Sequence, residues 1–486
     1  MLFTDPFFLL RFLPTLLALF FLAVALTPRR WKRGRRFVLA NVVLTTGSLV
    51  FLYWGTGAVF WWMAGAAGLN YLVALAIEWV RRRNAGAPRP SPMPEALLTL
   101  AVTGNLLFFV TFKYVLSPSV TVSGVGFAVP RLLVPLGLSV CVCQAISYLV
   151  DVTRGRVHAQ PSPIEALLYL LFFPVLLVGP LARYRDVRAQ LSDRRATMAA
   201  FAFGVRRWLV GVWKVVFLAR MLSGPSETAF AMSSGALGLT WAWLGAICFT
   251  LQVYFSLSGY TDMAIGFGRM FGFRLSENFR WPHGADSVTE FWRRWLITLF
   301  DWFRSYLGLS LDSPGRGVWS VTGSTVALFL GVGLWLGPSW TVAVWALGHA
   351  GIVCVERLGG LRWLARCPVA LRYVYVAVCV VCLWVVFRAD TVADAGVMLR
   401  AMFGFGGARD VVAIELSGFE WGARILGGLS VAPLWSGFSR WLVTVDAVTT
   451  SILFLVSTSF VFVWRSLVTT VRFVTRRPRR ARDQDE

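Results

Sequence analysis

The sequence predicts an all-α, polytopic membrane protein, and three observations carry that prediction. Of its 486 residues 57% are hydrophobic and only 15% are charged, with a mean hydropathy of +0.66. A soluble chain carries roughly a quarter charged residues. Apolar runs of about 20 residues recur from end to end, the length that crosses a bilayer as a helix. The basic residues gather between those runs instead of spreading through them.

In chain order the expected spans are Phe7–Thr27, Phe37–Trp54, Val59–Val80, Glu95–Val115, Leu132–Val150 and Pro163–Leu181. Trp208–Ser223, Leu237–Leu257, Trp319–Leu336, Trp340–Val355, Arg372–Phe387 and Val443–Trp464 follow. This gives about eleven to thirteen membrane segments, re-entrant ones included. "GAPRPSPMP" (Gly86–Pro94) reads as a proline-rich cytoplasmic linker. Val120–Phe127 and Gly404–Val431 are expected outside the membrane. The organisation is N-terminal membrane helices over 1–130, a core over 131–405, a loop and helix over 406–470, and a charged tail over 471–486.

The formal net charge of +23 does not indicate nucleic acid. "RRWKRGRR" (Arg29–Arg36), "RRR" (Arg81–Arg83), "RGR" (Arg154–Arg156), "DRR" (Asp193–Arg195) and "RRPRRAR" (Arg476–Arg482) alternate with pairs of spans. They fit cytoplasmic loops under the positive-inside rule, with anionic lipid as counter-charge. The N-terminus is therefore expected outside and the C-terminus inside. The first apolar run precedes its basic cluster and has no small-residue cleavage site, so it reads as a retained span. The seven cysteines lie in or beside apolar runs without further ligands nearby, and read as buried inert thiols, not metal ligands.

From about Gly179 to Tyr306 polar residues enter segments of membrane character, where they normally face a protein interior. In Leu251–Leu311, Asp262 precedes a glycine-rich stretch read as a turn, and "ENF" (Glu277–Phe279) and "WP" (Trp281–Pro282) interrupt any helix. Glu290, Arg293 and Arg294 then share a helix face. Their aromatic neighbours favour a funnel wall over a solvated face. "GLWLGPSW" (Gly333–Trp340) packs glycine and tryptophan as a cavity wall would. The residues expected to line the cavity are Asp262, Asn278, Glu290, Arg293, Arg294, Trp295 and Trp335. Of three histidines, His158 and His283 are expected to face solvent. His349 lies within an apolar run, as either a structural residue or the imidazole that reaches the cavity.

"VPLGLSVCVCQAISYLVDVTRG" (Val134–Gly155), "FFPVLLVGPLARYRDV" (Phe172–Val187), Leu251–Leu311 and "WVVFRADTVADA" (Trp384–Ala395) are in the order of a known family's signatures. Over roughly residues 130 to 405 the chain resembles the membrane-bound O-acyltransferases, in the branch of alginate O-acetylases and teichoic-acid D-alanyl transferases. The resemblance implies a ring of tilted helices around a tunnel. There a cytoplasmic donor, acyl-CoA or an acyl-carrier thioester, meets an extracytoplasmic polysaccharide acceptor. It also implies an extracytoplasmic esterase-like partner and no bound cofactor. The chain departs from the family at four positions: Leu296 and Leu336 stand where the family has histidine, the latter usually credited with catalysis, and Ser256 and Ser305 stand where acids are usual.

Leucine has no lone pair to accept a proton, a service worth about 10²–10⁴-fold from a positioned base. Two readings therefore stand side by side: a transferase that draws its base from elsewhere, with His349 as candidate, or a silent homologue that scaffolds an envelope complex. A transporter would show inverted repeats and paired coupling carboxylates, which the sequence does not display.

Overall fold

The computed structural model describes residues 3–27, 37–85, 91–116, 137–194, 196–309, 317–337 and 339–405. All lie in one compact unit, Met1–Arg409. Outside the described residues lie the Arg29–Arg36 cluster, most of the proline-rich linker, Val120–Phe127, the 130/131 boundary and nearly all of Gly404–Val431. So do the Val443–Trp464 span and the 406–470 and 471–486 segments.

The described residues form helices and loops. The helices are α1 (Leu13–Leu26), α2 (Val38–Thr56), α3 (Phe60–Asn84), α4 (Met93–Val110), α5 (Leu138–Thr153) and α6 (Pro163–Leu171). Next come α7 (Phe173–Leu176), α8 (Tyr184–Ser192), α9 (Met198–Trp213), α10 (Arg220–Ala231), α11 (Leu239–Met270) and α12 (Val288–Arg294). The last are α13 (Ile297–Leu307), α14 (Val318–Leu336), α15 (Trp340–Val355), α16 (Leu361–Leu364), α17 (Val369–Arg388) and α18 (Val392–Met402).

Among the described residues, which leave out the expected Val443–Trp464 span, seven helical runs are long and apolar enough to cross a membrane. The differences from the expected spans have local causes. Val38–Asn84 counts once but bends at Gly57, whose φ of +57° ends α2 before α3 begins. Leu138–Thr153 and Pro163–Leu176 are apolar but short. The expected span Trp208–Ser223 lies inside a continuous helical run, α9 to α10 through a π-helical turn at Lys214–Ala219, that carries Arg206, Arg207, Lys214 and Arg220.

That run packs against α11 through a glycine seam. A Cβ placed on Gly204 would lie 2.6 Å from the Gly266 carbonyl oxygen, and one on Gly211 would lie 2.5 Å from that of Gly259. The backbones therefore touch, as small residues allow between helices in a membrane. Gly204, Arg207, Gly211 and Lys214 share one face, so the close approach also brings both cations onto α11. The glycine-rich stretch after Asp262 is not a turn: α11 runs on to Met270, because Gly266 and Gly268 are needed for packing and leave the helix intact.

Candidate functional site

After α11 the chain folds back before α12 with one short helical turn, Pro282–Gly284. Two backbone bonds fasten this return to the α12–α13 junction: Arg280 N–H donates to Arg294 O and Ile297 N–H to Asn278 O, each at 2.9 Å. Asn278, expected at a cavity wall, is instead buried as a clamp. Its Oδ1 accepts from Thr298 N (3.2 Å) and Thr298 Oγ1 (2.9 Å), serving orphan donors in the first turn of α13. The junction turns at Leu296, whose φ of +47° is left-handed. Histidine, asparagine and aspartate are enriched in that conformation over leucine.

α12 is seven residues long and could not stand alone. Ser287 Oγ accepts from Glu290 N, and Glu356, after the end of α15, takes the neighbouring donors. Its carboxylate accepts from Val288 N (2.8 Å), Thr289 N (2.7 Å) and Thr289 Oγ1 (2.6 Å). Glu290 pairs with Arg294 (2.8 Å) and Arg293 (3.3 Å), and Arg294 Nη1 donates to Gly284 O at 3.0 Å. The expected face is thus an ion-paired clamp on the returning loop. Trp295 is a buried core residue, stacked on Phe291 at 5.3 Å between centroids.

Above this junction five rings close a circuit: Trp295–Trp384 (5.5 Å), Trp384–Trp345 (5.6 Å), Trp345–His349 (5.1 Å), His349–Trp292 (4.8 Å) and Trp292–Trp295 (6.4 Å). His349 is fully buried there, and its Nδ1 accepts the Trp292 indole N–H at 3.1 Å. Indole nitrogen only donates, so the neutral imidazole carries its proton on Nε2. The structure therefore gives His349 a different role from the expected base: its lone pair is already used. Among the described residues His349 Nε2, Trp345 Nε1 and Trp384 Nε1 are all buried without a hydrogen-bond partner.

The remaining expected residues lie elsewhere. Asp262 sits in the glycine seam, its carboxylate 2.6 Å from both Arg207 and Lys214, with Glu277 2.6 Å from Arg207. Trp335 and Leu336 end α14, two turns past the Phe329 that stacks on His349. There Lys113 donates to the Trp335 carbonyl and Tyr114 to that of Leu334, and the cation sits at the negative end of the helix. Ser305 Oγ accepts from Arg183 at 3.0 Å. His158 is exposed, as expected, beside Glu78 at 2.9 Å. A small cleft among Gln144, Tyr169, Phe172 and Phe273 holds no histidine or carboxylate and does not carry the chemistry.

His283 has the exposed ring expected of it, with aromatic neighbours on one side. It packs edge-to-face on Tyr254 at 4.7 Å and lies near Phe291 and Trp295 (6.1 and 6.3 Å). Desolvation by these neighbours lowers its pKa to about 4. No cue to these neighbours lies along the chain: the Trp-Pro turn marks a break but not its depth. Glu356 was also missed, although a carboxylate directly after an apolar helix signals a buried partner.

Spans joined by a layer of broken helices, with paired charges and unpartnered N–H groups inside, define a multi-pass membrane protein with a buried polar site. The chain matches the membrane-bound O-acyltransferase (MBOAT) family over residues 12–389, and it belongs to that family. It is 36% identical over 413 residues to a probable alginate O-acetylase of Azotobacter vinelandii, covering 84% of this chain and 79% of the relative. A probable alginate O-acetylase of Pseudomonas aeruginosa is 34% identical over 441 residues, 89% of this chain and 81% of the relative. A peptidoglycan O-acetyltransferase of Helicobacter pylori is 26% identical over 445 residues, 84% and 80%.

Proposed function

We propose that this protein transfers a small acyl group, acetyl by analogy with those relatives, from a cytoplasmic thioester to a hydroxyl of an extracytoplasmic polysaccharide. The observation that carries this is the trio of buried N–H donors, His349 Nε2, Trp345 Nε1 and Trp384 Nε1, with no acceptor among the described residues. Buried donors left unpaired are costly, and the rings that carry these three touch one another in one cluster, so an acyl carbonyl oxygen entering that cluster would meet unpaired donors. Donors aimed at an oxygen that gains charge stabilise acyl transfer by the largest single effect. His349 then acts as donor and as the anchor of Trp292. In this reading the spans ring a tunnel, CoA or a carrier protein presents the thioester, and an esterase-like partner works alongside outside. The N-terminus lies outside and the C-terminus inside, which reporter fusions at Arg83 and Glu486 test.

A second reading, a silent scaffold, is favoured by leucine at both 296 and 336. Membranes carrying the protein, given [14C]acetyl-CoA, decide between the two. Label entering envelope polymer above control membranes supports transfer. Label at the control level, with the protein present in the membrane, leaves the scaffold.

A further inference from the structure

Two arginines stand together at the end of α11 with no carboxylate of their own. Arg269 lies in the last turn of α11, Arg274 in the loop that follows, and each stands in the other's repelling field. Among the described residues neither guanidinium makes a hydrogen bond or an ion pair. We infer that this pair holds the phosphate of an anionic phospholipid whose acyl chain lies along the exposed face of α9.

Charge is the first argument. Both carboxylates near this end of the glycine seam are already engaged. Asp262 takes Arg207 and Lys214, and Glu277 takes Arg207, each at 2.6 Å. Arg269 and Arg274 are left over, and Arg206, exposed on α9, adds a further cation. A guanidinium fork binds phosphate oxygens in pairs, so two such forks side by side suit one phosphate.

The pair is also held in place. Gly272, with a φ of +85°, reverses the chain after α11. Its N–H donates to Arg269 O at 3.1 Å and Phe273 N–H to Gly268 O at 2.7 Å, a helix-ending turn that brings Arg274 back beside Arg269. Gln190 then grips the Arg274 backbone from both sides. Its Oε1 accepts from Arg274 N at 2.6 Å and its Nε2 donates to Arg274 O at 3.3 Å. The Arg269 guanidinium carbon lies 5.2 Å from the centroid of the Phe203 ring on α9.

That ring selects a lipid over a soluble phosphate. Phe203, Val210 and Trp213 are all exposed, and their i, i+7, i+10 spacing sets them on one stripe of α9, with Arg206 at i+3 beside them. From Phe203 to Trp213 the stripe runs about 15 Å. Arg269 sits over its first ring and in the last turn of a helix long enough to cross a membrane, the level of lipid headgroups. Cations at the head of an exposed apolar stripe match a headgroup phosphate and the chain below it. The lipid has a structural consequence. Glu277 lies in the field of Arg269 while it bonds Arg207. A phosphate on Arg269 and Arg274 leaves Glu277 to Arg207, which steadies the loop that leads into α12.

The test uses the full chain purified in neutral detergent and reads its melting temperature as phosphatidylglycerol or phosphatidylcholine is added. Phosphatidylglycerol should raise it saturably and phosphatidylcholine should not. Arg269→Gln combined with Arg274→Gln should weaken half-saturation roughly 30-fold, as expected for two arginines lost from a headgroup. Arg304→Gln, at an exposed ion pair elsewhere, should respond like the parent. Each variant is compared with its own lipid-free melt, so a change of fold is read separately. Should the double variant fail to accumulate, Arg274→Gln alone, in an exposed loop, should still weaken half-saturation several-fold. An equal rise with phosphatidylcholine, or with inorganic phosphate or CoA in place of lipid, overturns the lipid assignment. So does the absence of any rise, or a parent-like half-saturation in the arginine variants.

Discussion

Replacing Glu356 by glutamine tests whether α12 is held from the end of α15. The carboxylate is 2% exposed and takes three donors from the start of α12, at 2.6 to 2.8 Å. Glutamine has one oxygen where glutamate has two. Its amide N–H₂ must therefore face either Val288 N or the Thr289 pair, donor against donor. A hydrogen bond to a charged group contributes about 1.5–3 kcal/mol net, and a stranded buried donor costs about 1–3 kcal/mol. The bond that survives also becomes neutral and weaker. Together these place the loss at roughly 3–5 kcal/mol, the range for breaking a buried charged network. At about 2 °C per kcal/mol the melting temperature in detergent should fall by roughly 6–10 °C. Tryptophan fluorescence should change as well, because α12 carries Trp292. Asp301→Asn, which breaks the exposed Arg304–Asp301 pair, is the control and should cost less than about 1 kcal/mol. A Glu356→Gln protein melting within about 2 °C of the parent, with unchanged fluorescence, would refute the argument.

The glycine seam gives a second prediction. Gly211→Ala places a Cβ 2.5 Å from a backbone oxygen that cannot rotate away, so the helices must part, at a cost of about 1–3 kcal/mol. Gly224→Ala, with open space around its Cβ, is the control that should melt like the parent. Leu296→His should fold as well as the parent, since histidine accepts the left-handed turn more readily than leucine. Combined with Leu336→His it should raise [14C]acetyl transfer above either single variant; no gain in the pair would argue that these positions do not share one site. His283 also makes stability pH-dependent. Its folded pKa of about 4 lies below the ordinary 6.5, so the unfolded chain binds a proton first as pH falls. Stability should be full above about pH 6.5 and decline toward about pH 4, and His283→Phe should flatten that decline in melting curves.

Much of the class of this protein was legible along the chain. Apolar runs of spanning length mark α1 to α4, α11, α14, α15 and α17, because each helix in lipid must satisfy its own backbone and cover itself with apolar side chains. The Glu290–Arg293–Arg294 pairing was legible too, since i, i+3 and i+4 neighbours are fixed by helix geometry alone. The long motifs led to the family for a similar reason: they stand as ordered words along the chain.

Tertiary structure decided which polar groups meet. Asp262 reads like a cavity carboxylate until the glycine seam brings Arg207 and Lys214 onto it from a segment some fifty residues earlier. His349 reads as either a structural residue or a free imidazole until Trp292, 57 positions away, takes its lone pair. His283 reads like a surface histidine until the loop's descent along α11 sets it on Tyr254. Each outcome depends on a distance between residues far apart in the chain, set by how closely two backbones approach and where a break returns. Periodicity carries the face a residue presents, but not the partner that meets it there. The physical reason is that hydrogen bonds and ion pairs act over about 3 Å, a scale that only the packed chain defines.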